Sequence, residues 1–240
     1  MAKKTDSNLY TILFSIGMVI IVGSLLAFFA SFTKDSRENN DKVKAQVDIL
    51  SSIGIEANRS NATEKFTENI KKQYVIEGTN ATENLEAYLI DIKKEQAKAK
   101  NGEIQRLPLF IAEKEGKTIY IVPIRGIGLW GPMWGYVGLK DDLETIEGVF
   151  FDHQSETPGL GSNITQSYFT DDFKGEKIYD IKGNYAGVAV SKSNNDPLNN
   201  DKTDNEVDAI GGATITGNGV AAMLKSGIKA YLPYFKTLKK

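Results

Sequence analysis

The chain has 240 residues, 41% of them hydrophobic and 25% charged, with 29 Lys+Arg against 31 Asp+Glu and one histidine, a formal charge of −2. That balance leaves no basic field to hold nucleic acid by its phosphates, and the composition is that of a globular chain able to bury its own core in one domain or two. Cysteine is absent, which excludes disulfide frameworks, thiolate zinc sites, iron–sulfur ligation and cysteine nucleophiles; with His153 as the lone histidine, redox or group-transfer chemistry must rest on a bound organic cofactor or on carboxylates and hydroxyls.

Leu9 to Phe32 runs for 24 residues without a charge or a proline. At about 1.5 Å per residue this reaches roughly 36 Å, enough to cross a hydrocarbon core of about 30 Å with some tilt. A cleavable signal peptide has a shorter apolar core and an A-x-A-like site, and Ala27 and Ala30 are wrongly spaced for one. The sequence therefore predicts a retained anchor in membrane lipid. Lys3 and Lys4 precede the span while Lys34 and Arg37 follow it, so the positive-inside count is balanced. The short leader with its two lysines favours a cytoplasmic N-terminus and an external domain.

Beyond the span, Asn39, Asn40 and Asp41 can cap a stalk helix with Val43, Val47 and Leu50 at helical spacing, ending near Gly54. Thr63 to Lys100 reads as helix, interrupted at Gly78, with Phe66, Ile70 and Tyr74 as one core-facing stripe and Leu85, Leu89 and Ile92 as another. After Asn101-Gly102 the texture turns to strands over 107–112, 118–124, 134–139 and 146–152, with Glu115-Gly116-Lys117 as a hairpin turn. A run at 186–190 precedes an Asn/Asp-rich loop, 194–206, and a helix is expected over 220–231. Helices, then strands, then strand and helix make an α+β fold: a single N-terminal transmembrane helix followed by a mixed helix/antiparallel-sheet domain.

Three segments carry more glycine and hydroxyl than element-building needs. Asp208-Ala-Ile-Gly-Gly-Ala-Thr214-Ile-Thr216-Gly-Asn-Gly219 enters the last helix, where free backbone N–H groups and the helix dipole can hold an anion; the same residues also read as a tight turn with Thr216 or Asn218 as N-cap. It matches neither a P-loop nor G-x-G-x-x-G. His153-Gln-Ser-Glu156-Thr157-Pro158-Gly159-Leu160-Gly161-Ser162 follows the last strand of the run and reads as a surface turn or as backbone brought close to a flat ligand, with Glu156 and His153 as a conceivable acid/base pair. Arg125 to Gly135 holds both tryptophans, Trp130 and Trp134, which suit an aromatic wall or, for Trp134, core packing. The acidic loop with Asp196, Asp201, Asp204 and Glu206 lacks calcium-loop spacing and reads as solvated. The N-x-S/T triplets at Asn58, Asn61, Asn80 and Asn163 are of the kind polar loops produce by chance.

Taken together, these segments resemble the C-subunit of the Na+-translocating NADH:quinone oxidoreductase. The flavinylation pattern Asp-x-x-(Ser/Thr)-Gly-Ala-Thr falls on Asp208 to Thr214, with Gly211 where the pattern has serine or threonine. The resemblance implies an FMN-binding domain with FMN joined by its phosphate to Thr214. Asp208, Gly212, Ala213 and Thr216 then belong to the cofactor site, Glu156, Thr157, Leu160, Gly161 and Trp130 line the isoalloxazine, and Lys192 helps neutralise the phosphate. It further implies a relay of single electrons within a multisubunit membrane complex and a flavin transferase as maturation partner; the charge balance leaves no nucleic-acid partner. The expected organisation is a cytoplasmic leader over 1–8, a transmembrane helix over 9–32, a stalk and linker over 33–62, and an FMN domain over 63–240 on the periplasmic side of the inner membrane. The homologous subunit of the ferredoxin:NAD+ oxidoreductase and a cofactor-free anchored assembly protein are the rival readings.

Overall fold

The computed structural model of the protein describes residues 8–194, 196 and 199–239; the leader with Lys3 and Lys4 lies outside them. The chain divides into two compact units, 1–42 and 43–240. In the first, helix α1 (Asn8–Phe32) is apolar on all sides, none of its residues is buried in the protein, and it is long enough to cross a membrane. Helix α2 (Lys34–Ser51) begins well before the expected cap, because Thr33 N–H to Phe29 O and Arg37 N–H to Thr33 O, both 3.0 Å, carry helical bonding across the junction. Asn39, Asn40 and Asp41 therefore lie inside a helix rather than heading one.

The second unit is built on a six-stranded antiparallel sheet in the order β2-β1-β3-β4-β5-β6. Its strands are β1 (Ile70–Glu77), β2 (Asn80–Glu83), β3 (Leu107–Lys114), β4 (Lys117–Ile127), β5 (Pro132–Leu139) and β6 (Ile146–His153). Strands β3 to β6 fall where alternation and turn residues predict them. Glu115 and Gly116 take φ of 52° and 72°, the left-handed pair of a two-residue hairpin. The segment 70–83 corrects the helical reading. Phe66 ends up in helix α3 (Ala62–Asn69) and Ile70 opens a strand, so their four-residue spacing straddles two elements. Leu85 and Leu89 are exposed and Ile92 is half-buried at the start of helix α4 (Ile92–Lys100), so that stripe does not face the core; in the single 3-10 turn 87–89, Ala87 alone points inward.

Period-2 alternation sends the two faces of the sheet into different cores. Ile119 and Ile121 of β4 pack with Ile49, Leu50 and Ile53 at the end of α2 and with Phe66, so the second half of the expected stalk is part of the domain core. Val122 and Ile124 of the same strand pack with Val220, Leu224 and Ile228 of helix α6 (Thr214–Lys229) and with Phe235 of helix α7 (Leu232–Leu238). Lys44 on α2 ties that helix to β6 by bonding Asp48 at 2.8 Å and Asp152 at 2.9 Å, with the Trp134 ring centroid 6.0 Å away. Partial burial by itself lowers the Lys44 pKa, and the two carboxylates outweigh it and hold the ammonium above its usual range. Trp134 is only half-buried and belongs to this surface contact rather than to the core.

Between β6 and α6 the chain passes through the short helix α5 (Ser167–Thr170) and a two-stranded parallel pair, β7 (Ala189–Val190) and β8 (Glu206–Val207). The acidic loop turns on itself: Asp196 accepts from Asp201 N–H, Asp201 from Thr203, and Asp204 from Glu206 N–H. Among the described residues no group of three acids or histidines could hold a metal. The loop is latched by Glu176, wholly buried, whose Oε1 takes Asn199 Nδ2 at 3.2 Å and lies 3.5 Å from Lys202 Nζ, while Oε2 has no partner.

Burial pushes the Glu176 carboxyl up to about 7; Lys202 pulls it down, and the Asp204 charge adds to the rise. An acid whose pKa is raised on folding gives stability present below its unfolded value and lost as pH climbs through the folded one, here between about 4.5 and about 7. Glu176→Gln is expected to be more stable than the parent by on the order of 2 kcal/mol at pH 8, with the gap closing towards pH 5. Urea denaturation at the two pH values checks this, and an equal gap at both contradicts it.

Candidate functional site

Three chain segments meet at the head of α6. The first is the β4–β5 connection, Gly128 to Gly131, closed by Gly128 N–H to Gly131 O at 2.8 Å. The second is the loop after β6, where Leu160 and Ser162 both donate to Thr157 O at 3.1 Å and Gly159 takes φ 76°. The third is the turn into α6, where Ala213 N–H reaches Ile210 O at 3.0 Å and Gly212 has φ 71°, a region open to glycine without strain.

Glu156 joins them. It is 4% exposed, and its Oε1 accepts Trp130 N–H at 2.8 Å while Oε2 accepts the Thr216 hydroxyl at 2.7 Å. A carboxylate withdrawn from water needs such donors on both oxygens. The packing leaves no room for larger residues beside it. A Cβ on Gly128 would lie 2.5 Å from Glu156 Oε1, and one on Gly161 would collide with Oε2 and stand 2.6 Å from Thr216 Oγ1. Thr216 is thus spent on Glu156 and does not cap the helix: the N-cap is Ala213, with no side-chain bond. The helix starts at Thr214, six residues ahead of the expected Val220, because Thr216, Gly217 and Val220 are buried and packing overrides their weak helix propensity. His153 does not pair with the Glu156 carboxylate; its Nδ1 accepts Glu156 N–H at 3.1 Å.

Thr214 is exposed and opens on a groove of about 460 Å³ lined by Trp130, Glu156, Thr157, Leu160, Gly161, Gly212, Ala213, Thr214 and Thr216. Leu129 and Ile215 complete the lining; nothing in the sequence singles them out, since each is only a neighbour within a motif. Leu129, Trp130, Leu160 and Ile215 are large apolar side chains left in contact with solvent. The first helical hydrogen bond runs from Gly217 N–H to Ala213 O, so the N–H groups of Thr214, Ile215 and Thr216 precede the ladder. Two expected residues stand apart. Lys192 is exposed and does not line the groove, and Asp208 is half-buried beside Asp172, whose carboxyl is raised by burial and then by the Asp208 charge. Gly211 is exposed, with nothing within 4 Å of a would-be Cβ, so the hydroxyl missing there leaves no packing defect.

This fold and groove define an FMN-binding domain: residues 128–229 match that family. The chain is 34% identical to the Na(+)-translocating NADH-quinone reductase C-subunit from Parabacteroides distasonis, whose crystal structure superposes with a TM-score of 0.74 over 86% of this chain and 97% of that one. It is 29% identical to the corresponding C-subunit of Neisseria meningitidis serogroup A over 100% of this chain and 98% of the relative. With the C-subunit of Chlamydia muridarum it is 37% identical over 47% of its length, an alignment that spans 39% of that relative. The chain belongs to the C-subunit family of the Na(+)-translocating NADH-quinone reductase.

The two threonines of the helix head are expected to behave differently. Thr216→Val keeps the volume but strips a buried carboxylate oxygen of its donor, at about 1–3 kcal/mol, whereas Thr214→Val at an exposed position changes the stability of the unmodified protein by less than about 0.5 kcal/mol. Melting curves of both variants check this, and a Thr216→Val protein that melts with the parent contradicts it.

Proposed function

We propose that this chain is the FMN-carrying subunit of a Na+-translocating NADH:quinone oxidoreductase, holding the flavin through a phosphoester on Thr214 and relaying electrons among the other subunits. The observation that carries the reading is an exposed threonine on the first turn of a helix, facing a groove with apolar walls of a size suited to a planar cofactor. The residues present fit the group. Free N–H groups at the head of α6 and the positive end of its dipole suit a phosphate; Leu129, Trp130, Leu160 and Ile215 offer apolar surface to a ring system.

Glu156 is the one ionisable group in the groove lining, and both of its oxygens are engaged. No hydrogen bond joins it to the Thr214 hydroxyl, which argues for a separate transferase. In that step the Thr214 oxygen bonds the flavin phosphorus, a phosphoanhydride bond of an activated flavin donor breaks, and the hydroxyl proton passes to a base of the transferase. Bound FMN supplies one- and two-electron redox chemistry. The protein's own contribution is to tether it at high effective concentration, meet its negative charge with backbone N–H groups, and wall the ring from water on one side. Lys192 lies outside the groove lining, and phosphate binding is assigned here to the helix head. Helix α1 is long and apolar enough to anchor the chain in a membrane; the placement proposed is the inner membrane, with the flavin domain on the periplasmic side.

Peptide mass analysis of the protein co-expressed with a flavin transferase tests the bond. The expected result is a gain of one FMN less one water on the peptide holding Thr214, absent in Thr214→Ala. No gain beside an active transferase would favour a cofactor-free anchored protein.

A further inference from the structure

His153 ends β6 three residues ahead of Glu156. Its Nδ1 accepts the Glu156 N–H at 3.1 Å, and its backbone N–H donates to Asp152 Oδ1 at 2.8 Å. A ring nitrogen that accepts a backbone N–H carries no proton, so the imidazole is neutral with its proton on Nε2. Protonation would set an N–H against an N–H and break that bond. The amide so held belongs to the residue whose carboxylate fastens Trp130 N–H at one end and the Thr216 hydroxyl at the other.

We infer that His153 is a positioning residue for the groove: neutral, it fixes the turn that aims the Glu156 carboxylate; protonated, it lets that turn go and weakens the clamp between the β4–β5 connection and the head of α6. The charged groups around it are Asp152 on its own strand and Glu156 in the loop, with Lys44 of α2 bonded to Asp152 and Asp48 bonded to the same ammonium. Opposite it on β5 stands Met133, which is neutral. The clamp stands on its own geometry; its bearing on a flavin rests on the function proposed above.

His153 is the sole histidine and Trp130 one of only two tryptophans, so the full chain in detergent, labelled with 15N-histidine and 15N-tryptophan, reports both ends without ambiguity once Trp134→Phe assigns the second tryptophan. At high pH the ring is expected in the Nε2–H tautomer. On acidification the Trp130 backbone amide proton moves upfield with the same midpoint as the ring nitrogens, as its bond to Glu156 weakens. In His153→Asn the side-chain oxygen replaces Nδ1 as acceptor at every pH, and the Trp130 amide stays at its high-pH position. In His153→Phe it stays at its low-pH position. An Nδ1–H tautomer, a Trp130 amide that ignores the ring titration, or the same movement in His153→Asn would each overturn the inference. If the amide follows His153 while Thr214 remains unmodified beside an active transferase, the flavin reading falls and this inference stands. If the flavin is on Thr214 and the amide ignores His153, the inference falls alone.

Discussion

Burial of the Glu156 carboxylate is the constraint on which the arrangement at the head of α6 depends. An ion removed from water must recover its lost solvation from fixed donors, and here the donors come from parts of the chain 26 and 60 residues away, the Trp130 amide and the Thr216 hydroxyl. The β4–β5 connection is irregular, the loop after β6 reaches a 3-10 turn only at Gly161, and the turn into α6 has no side-chain cap. One carboxylate bonded at both ends gives all three a common reference. The absence of side chains at Gly128 and Gly161 is what lets the protein close around it.

That pairing also divides the labour between two threonines that look alike in the sequence. Thr216 is buried and satisfies Glu156; Thr214, two residues earlier, is left facing the groove. The same pairing holds the one acid of the groove lining on Trp130 and Thr216, and the lining holds no lysine or arginine, so an anion at this place meets backbone N–H groups and the helix dipole. The surrounding surface is apolar through Leu129, Trp130, Leu160 and Ile215, large side chains left in contact with solvent.

Much of this is legible in the sequence where the signal is local. The strands β3 to β6 announce themselves by alternation and by Glu115-Gly116, and α1 by its unbroken apolar run. The segment 70–83 is not legible, because lysines at 71 and 72 break the alternation of β1 and the spacing of Phe66, Ile70 and Tyr74 imitates a helix face. The start of α6 is hidden for the opposite reason: Thr-Ile-Thr-Gly-Asn-Gly is poor helix sequence, and burial of Thr216 and Gly217 decides the matter. At the site, the motifs name the segments that meet at the head of α6, yet the Glu156–Thr216 bond spans 60 residues and leaves no periodic trace. Placing Thr216 as a cap follows from taking the motif without the partner that tertiary structure supplies.

The most direct measurement is a crystal structure of the flavin-loaded protein. The expected result is density running without a break from Thr214 Oγ1 into the flavin phosphate, the ring lying against Trp130 and Leu160, and the Thr216–Glu156 bond intact beneath it. Flavin density on another residue, or a Thr216 hydroxyl turned away from Glu156 to reach the phosphate, would contradict it.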